Sequence, residues 1–264
     1  MLQSQISLLS PADGRAATAV LVRDAASEPR QRALYGELCS TVRASDEWHD
    51  LSSRRRRLSS DARPAPLCVW QHPYTKQTNA RAKPDAVLDW AHGLARRVAA
   101  DLHEFRGVDP AIADAIDRAK YDSLLSVLYA PAGTLQPHID KGLDGYGLAL
   151  SFGATCVFSF GGTEIELSSG DVLFAPFGSV EHAVLRTMPL ASAPAWWQAI
   201  DEQRDEAATF GAARCSLQLR DRAWSHRPHP TEPDRLLRRS VRRREESGEE
   251  GGVEAAVRRR QLPP

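Results

Sequence analysis

Between Ser123 and Arg220 the chain is cut into short runs rich in Leu, Val and Phe, most of them bounded by glycine-containing turns. They are Ser123–Ala130, Gly147–Ser151, Thr155–Phe160, Thr163–Leu167, Val172–Ala175, Glu181–Arg186 and Arg214–Arg220. Many short strands at close spacing restrict the fold to a sandwich, a barrel or a jelly roll. Ahead of them, Val87, Leu88, Ala91, Leu94, Ala95, Val98, Ala99 and Leu102 recur at three- and four-residue intervals, so a helix is predicted over Pro84–Phe105, with Pro84 and Asp85 suited to its first turn. A second helix is predicted over Pro110–Lys120, and Pro189–Gly211, with Trp196, Trp197 and Ile200, reads as a helical insertion before the last strand.

Three stretches read as irregular: the segment up to about Pro29, the Arg/Ser-rich run Ser52–Pro66, and everything after about Trp224. The last packs six arginines into Arg235–Arg244 and follows them with Glu245, Glu246, Glu249 and Glu250, a pattern that cannot bury a core. The expected organisation is therefore an N-terminal, partly irregular segment (1–62), a folded domain (63–224) and a disordered Arg/Glu-rich tail (225–264). At 264 residues one active site is expected.

Charge narrows the function. The 34 Lys+Arg balance 34 Asp+Glu, so a uniformly basic nucleic-acid binder is excluded and any such binding has to come from a local patch. Arg54–Arg57 and Arg235–Arg244 are the candidates, either as nucleic-acid or nuclear-localisation segments or as solvated tails. The four cysteines are scattered, with no CxxC pair, so an intracellular chain in a reducing compartment is expected, nuclear or cytoplasmic, with an organellar address left open. No apolar run approaches the roughly 20 residues that span a bilayer, so no membrane partner is expected. The sequence leaves the oligomeric state unknown.

The chemistry concentrates in His138-Ile-Asp140. On an extended strand, side chains two apart point the same way, so an imidazole and a carboxylate can bind one cation. His182, 44 residues on, is the candidate for completing a 2-His-1-carboxylate facial triad, which leaves three coordination positions for an oxo-acid cosubstrate and dioxygen. Alternation in Arg214–Arg220 places Arg214, Ser216, Gln218 and Arg220 on one strand face. That face either lies in water, as in an ordinary antiparallel sheet, or lines the roll and supplies charge-assisted contacts to a dicarboxylate such as 2-oxoglutarate.

The order Tyr129, His138-x-Asp140, Gly170-Asp171-Val172, His182, Arg214-x-Ser216-x-Gln218-x-Arg220 resembles that of the AlkB-like Fe(II)/2-oxoglutarate dioxygenases, over about Arg63 to Arg220. The resemblance implies a mainly β fold with flanking helices: a double-stranded β-helix (jelly roll) with N-terminal helices and disordered tails. It implies Fe(II) on His138, Asp140 and His182, with 2-oxoglutarate bound by Tyr129, Arg214, Ser216 and Arg220. It further implies hydroxylation of a C–H bond with dioxygen, most often oxidative demethylation of alkylated DNA or RNA, with Trp70 and Tyr74 as candidates for stacking on a flipped base. The sequence departs from the family at Val127, Ser216 and Gln218, which stand in place of Asn, Asn and Thr, and at Gly142, which stands where bacterial members have an acidic residue. A jelly roll that only binds RNA or protein, and a dioxygenase acting on protein, are the alternatives.

Overall fold

The computed structural model describes residues 5–14, 16, 18–45, 49–50, 68–72, 84–121, 123–140, 143, 145–202 and 212–221; for 42–45, 49–50, 68–72 and 201–202 the backbone alone is described. Among the described residues, twelve strands form two sheets. The larger runs in the order β1 (Ile6–Leu9), β2 (Ala19–Val22), β10 (Val172–Ala175), β7 (Gly147–Gly153), β12 (Arg214–Arg220), β5 (Ser123–Tyr129), β4 (Cys68–His72), β3 (His49–Asp50). The smaller is β6 (Leu135–His138), β11 (His182–Thr187), β8 (Cys156–Phe160), β9 (Thr163–Leu167). Every pairing is antiparallel, and the fold is the jelly roll expected.

The period of two along each strand sorts the core into two layers. On β10, Val172 and Phe174 pack with the helices, while Leu173 and Ala175 face the interior shared with the smaller sheet. β12 divides the same way: Cys215, Leu217 and Leu219 lie on the helix side. Its other face turns into the roll, with Arg214, Ser216 and Arg220 all buried. Of the two readings of that strand, the face in water is thereby excluded. Its buried polar row is bordered by Val127, Tyr129 and Ala149.

Helices α1 (Glu28–Ser45), α2 (Asp85–His103) and α3 (Pro110–Asp117) cover the outer layer. The stripe on α2 is buried as its spacing requires, through Val87, Ala91, Leu94, Ala95, Val98, Ala99 and Leu102. α3 starts at Asp109, whose side chain accepts a hydrogen bond from the Ala111 amide, with Pro110 at the first helical position. α4 (Ala195–Glu202) lies inside the expected insertion, and Trp196 and Trp197 are both buried in a cluster with Tyr35 and Phe152. The rest of the insertion, 203–211, falls outside the described residues, as do the Arg54–Arg57 run and the 226–264 unit.

One expectation is overturned. The segment before Pro29 is not irregular: it supplies β1 and β2, and β2 pairs with β10 in the larger sheet. Its four residues Ala19–Val22 are buried on both faces, so they form a continuous apolar run with no alternation to mark them as a strand. The hairpin is held by polar ties as well. Asp171, at the start of β10, accepts hydrogen bonds from the Arg23 guanidinium (2.6 Å), the Asp24 amide (3.1 Å) and the Ser168 amide (2.9 Å).

Candidate metal centre

β6 and β11 are antiparallel neighbours in the smaller sheet, and their register sets His138 directly opposite His182. The two ring centroids are 4.4 Å apart. β6 ends at His138, so Asp140 lies just beyond the strand rather than on it. Its amide donates to the Phe177 carbonyl at 3.0 Å, which turns the carboxylate back toward both rings. Asp140 Oδ1 is 3.6 Å from His138 Nε2, and Oδ2 is 3.9 Å from His182 Nε2. One donor atom from each of the three residues lies within 4.8 Å of the other two. Among the described residues this is the one such group of three.

The histidines are prepared alike. Nδ1 of His138 bonds to the Gln136 carbonyl (2.8 Å), and Nδ1 of His182 to the Val180 carbonyl (3.1 Å). A carbonyl only accepts, so each Nδ1 carries the proton and each Nε2 keeps its lone pair toward Asp140. Burial pushes His182 down to about 4, which keeps it a neutral ligand. Contact with Asp140 raises His138 against the opposing effect of burial. Burial alone would raise Asp140, but His138 and the Arg220 guanidinium outweigh it and hold the carboxyl well below the usual range. Two imidazoles and one carboxylate suit a divalent first-row ion with open positions. His182 is closed off at 4% side-chain exposure, whereas His138 is open at 35%, so among the described residues the site is reached from the His138 side.

The remaining expected residues line β12 and β5. Arg220 donates from Nε to Asp140 Oδ2 at 2.8 Å, which ties the strand's last residue to the triad. At the other end Arg214 pairs in register with Tyr129, its guanidinium carbon 5.3 Å from the tyrosine ring centroid. Arg214 is 1% exposed and donates from Nη2 to Ser151 Oγ at 3.0 Å, while its Nε and Nη1 and the Tyr129 hydroxyl are buried with no hydrogen-bond partner among the described residues. Unsatisfied buried polar atoms on two residues paired in register call for a partner that the described residues do not supply, and the guanidinium among them could hold a carboxylate. Ser216 lies between them and the triad, in register with Val127 and Ser151.

Sequence reasoning missed Ser151, a strand serine without a motif around it, and Phe177, discussed below. Of the aromatic candidates for stacking, Trp70 sits on β4 opposite Ser126 in register, with only its backbone described. Tyr74 lies outside the described residues, as does Gly142.

No family model and no curated protein matches the sequence. Solved structures do match. The fold is AlkB-like. The structure of OsALKBH1 aligns with 82% of this chain and 99% of its own, at a TM-score of 0.57 and 17% identity. A prolyl-4-hydroxylase from Pseudomonas putida aligns with 78% of this chain and 93% of its own at a TM-score of 0.42 and 16% identity. NgTET1 in complex with 5mC DNA gives 89%, 84%, 0.43 and 10% on the same measures. The fold assignment rests on the first of the three.

Proposed function

We propose that the protein is an Fe(II)- and 2-oxoglutarate-dependent dioxygenase that hydroxylates a C–H bond, and that its substrate is an alkylated nucleic acid, DNA or RNA. The observation that carries the reading is the pairing of two sites in one roll. Three ligand groups converge at one end of β12, and at the other lie buried Arg214 and Tyr129 atoms without a hydrogen-bond partner among the described residues. A jelly roll that only binds RNA or protein has no use for either.

His138, Asp140 and His182 would hold the iron, and the donor set fits it. Arg214, oriented by Ser151, and the Tyr129 hydroxyl would bind the distal carboxylate of 2-oxoglutarate. Bound there, iron and cosubstrate supply a two-electron oxidant from dioxygen, with succinate and carbon dioxide as coproducts. Arg220 balances the charge of Asp140 and fixes its orientation. The buried apolar residues Val127, Phe158 and Leu173 exclude water from the interior, which protects an oxidant from side reactions. Substrate would approach from the open side, where His138 is partly accessible and Ile139 is 45% exposed.

The nucleic-acid substrate rests on the resemblance and on the Arg54–Arg57 run, which would add phosphate contacts. Hydroxylation of an N-methyl group there gives a product that breaks down to formaldehyde and the demethylated nitrogen. The buried thiols Cys156 and Cys215, outside any disulfide, accord with an intracellular location.

The test is anaerobic titration of the apoprotein with Fe(II) and 2-oxoglutarate, following the visible charge-transfer band of the chelate, with Asp140→Ala as control. A band in wild type that the control lacks is the expected result, followed by succinate and formaldehyde release with N-methylated oligonucleotides. Folded wild-type protein without a band refutes the oxygenase reading. Succinate released without formaldehyde across methylated DNA and RNA refutes the demethylation.

A further inference from the structure

Phe177 follows β10 in the tight corner Pro176–Gly178, where its amide donates to the Ala175 carbonyl at 3.0 Å. It is 1% exposed. One residue here reaches three members of the site. Its carbonyl accepts the Asp140 amide, its ring meets the His182 ring at 4.9 Å between centroids and 67° between planes, and its ring face carries the Arg220 guanidinium carbon at 3.8 Å from the centroid.

The stack has required room from the sheet. A Cβ on Gly147 would stand 2.8 Å from both Phe177 Cδ2 and Arg220 Cδ, so β7 gives up a side chain where ring and guanidinium overlie one another. The rest of Arg220 is fixed from the other sides: Nη1 donates to the Leu148 and Leu219 carbonyls at 3.2 and 3.3 Å, and Nη2 donates to Gln218 Oε1 at 2.8 Å. Gln218 is one of the residues that depart from the family pattern, and its side chain makes this last contact. Held so, the guanidinium aims Nε at Asp140. A cation over a ring face in a desolvated site is at the strong end of such contacts, and the ring edge is the favoured approach to a second aromatic ring.

We propose that Phe177 is a positioning residue of the metal centre: with Gln218 it seats Arg220 against Asp140, while its ring and carbonyl fix His182 and Asp140. The proposal rests on the triad being a metal site. Groups that orient ligands from behind typically set metal affinity by about 10–100-fold.

The experiment uses the full chain and Co(II) alone, titrated into metal-free protein and read from visible d–d absorption, which reports both affinity and ligand geometry. Phe177→Leu fills similar volume without a ring face. It is expected to weaken Co(II) binding about tenfold or more and to alter the band shape, with far-UV circular dichroism and melting temperature close to wild type. Gln218→Met, nearly isosteric and touching no ligand, is expected to weaken binding in the same direction. Phe177→Leu with wild-type affinity and spectrum overturns the proposal. If that variant does not fold, unchanged Co(II) binding by Gln218→Met overturns it instead. A wild-type protein that binds no Co(II) removes the metal reading itself, a result distinguishable because it precedes any variant.

Discussion

Replacing Arg214 with Met should leave the ligand-free protein at least as stable as wild type while abolishing its response to cosubstrate. Among the described residues, Arg214, buried at 1% exposure, has one hydrogen bond, from Nη2 to Ser151, and two nitrogens without a partner. A buried donor left unsatisfied costs about 1–3 kcal/mol, so two cost about 2–6 kcal/mol. Against this, the substitution removes a charge-assisted bond worth about 1.5–3 kcal/mol and a guanidinium–Tyr129 contact worth about 0.5–2 kcal/mol. These nearly cancel, and exchanging a buried charge for a well-packed apolar side chain is often neutral or stabilising. The expected change is about 0–2 kcal/mol in favour of the variant, whereas truncating an ordinary buried side chain costs about 2–5 kcal/mol. In thermal melts, 2-oxoglutarate at a hundredfold excess over its dissociation constant should stabilise wild type by about 2.7 kcal/mol, or about 5–11 °C for a domain of this size. The variant should not shift, so the ranking of the two proteins reverses when cosubstrate is added. A ligand-free variant more than about 2 kcal/mol less stable than wild type, or one that 2-oxoglutarate still stabilises, refutes the reasoning.

Gly153→Ala should be strongly destabilising, because Gly153 has φ +81° and a Cβ there would stand 2.5 Å from the Ala213 carbonyl oxygen and 2.7 Å from the Trp197 ring. Backbone strain of about 1–2 kcal/mol and overpacking of about 1–3 kcal/mol should together lower the urea midpoint clearly, and an unchanged midpoint would contradict this. Trp197→Ala, which empties a fully buried site among Tyr35, Phe152 and Trp196, should cost about 3–5 kcal/mol in the same assay. Metal-free protein should also lose stability as pH falls from the ordinary histidine value of 6.5 toward about 4, because over that window the unfolded chain takes up a proton that buried His182 refuses. His182 contributes up to about 3 kcal/mol of that loss. His138 opposes it, since its raised value adds stability below 6.5 that is lost as pH rises through the folded value. Asp140, held low, contributes only further into acid. Urea unfolding in chelator at pH 7 and pH 4.5 reads the net fall, and His182→Leu should flatten it.

Much of the roll was legible because strand and helix periods write themselves into sequence. Alternation in Arg214–Arg220 identified which side chains share a face, and the stripe from Val87 to Leu102 identified a buried helix face. The triad was legible for a different reason: His138 and Asp140 are close in sequence, and His182 needed only one strand to oppose them. What escaped was structure without a period. β2 is apolar at every position because both its faces are covered, and α1 has a weakly segregated surface of mixed polar residues. Phe177 escaped because its role lies in three contacts made across the fold, and one phenylalanine after a proline gives no local sign of them.

The pairing of β2 with β10 also shapes how the protein must be made. Val22 finds its partner in Val172, 150 residues further along the chain. At the usual 5–20 residues per second, a ribosome takes about 8–30 s to synthesise that interval. Throughout it, Ala19–Val22, apolar on both sides, can pair with β1 but leaves its other edge without β10. Contacts this distant in sequence also slow folding after release, since a long loop must close before the pairing rewards it. The nascent chain therefore carries an early hairpin with one open, aggregation-prone edge, and soluble yield should depend on slower synthesis or on a chaperone that covers this edge until β10 emerges.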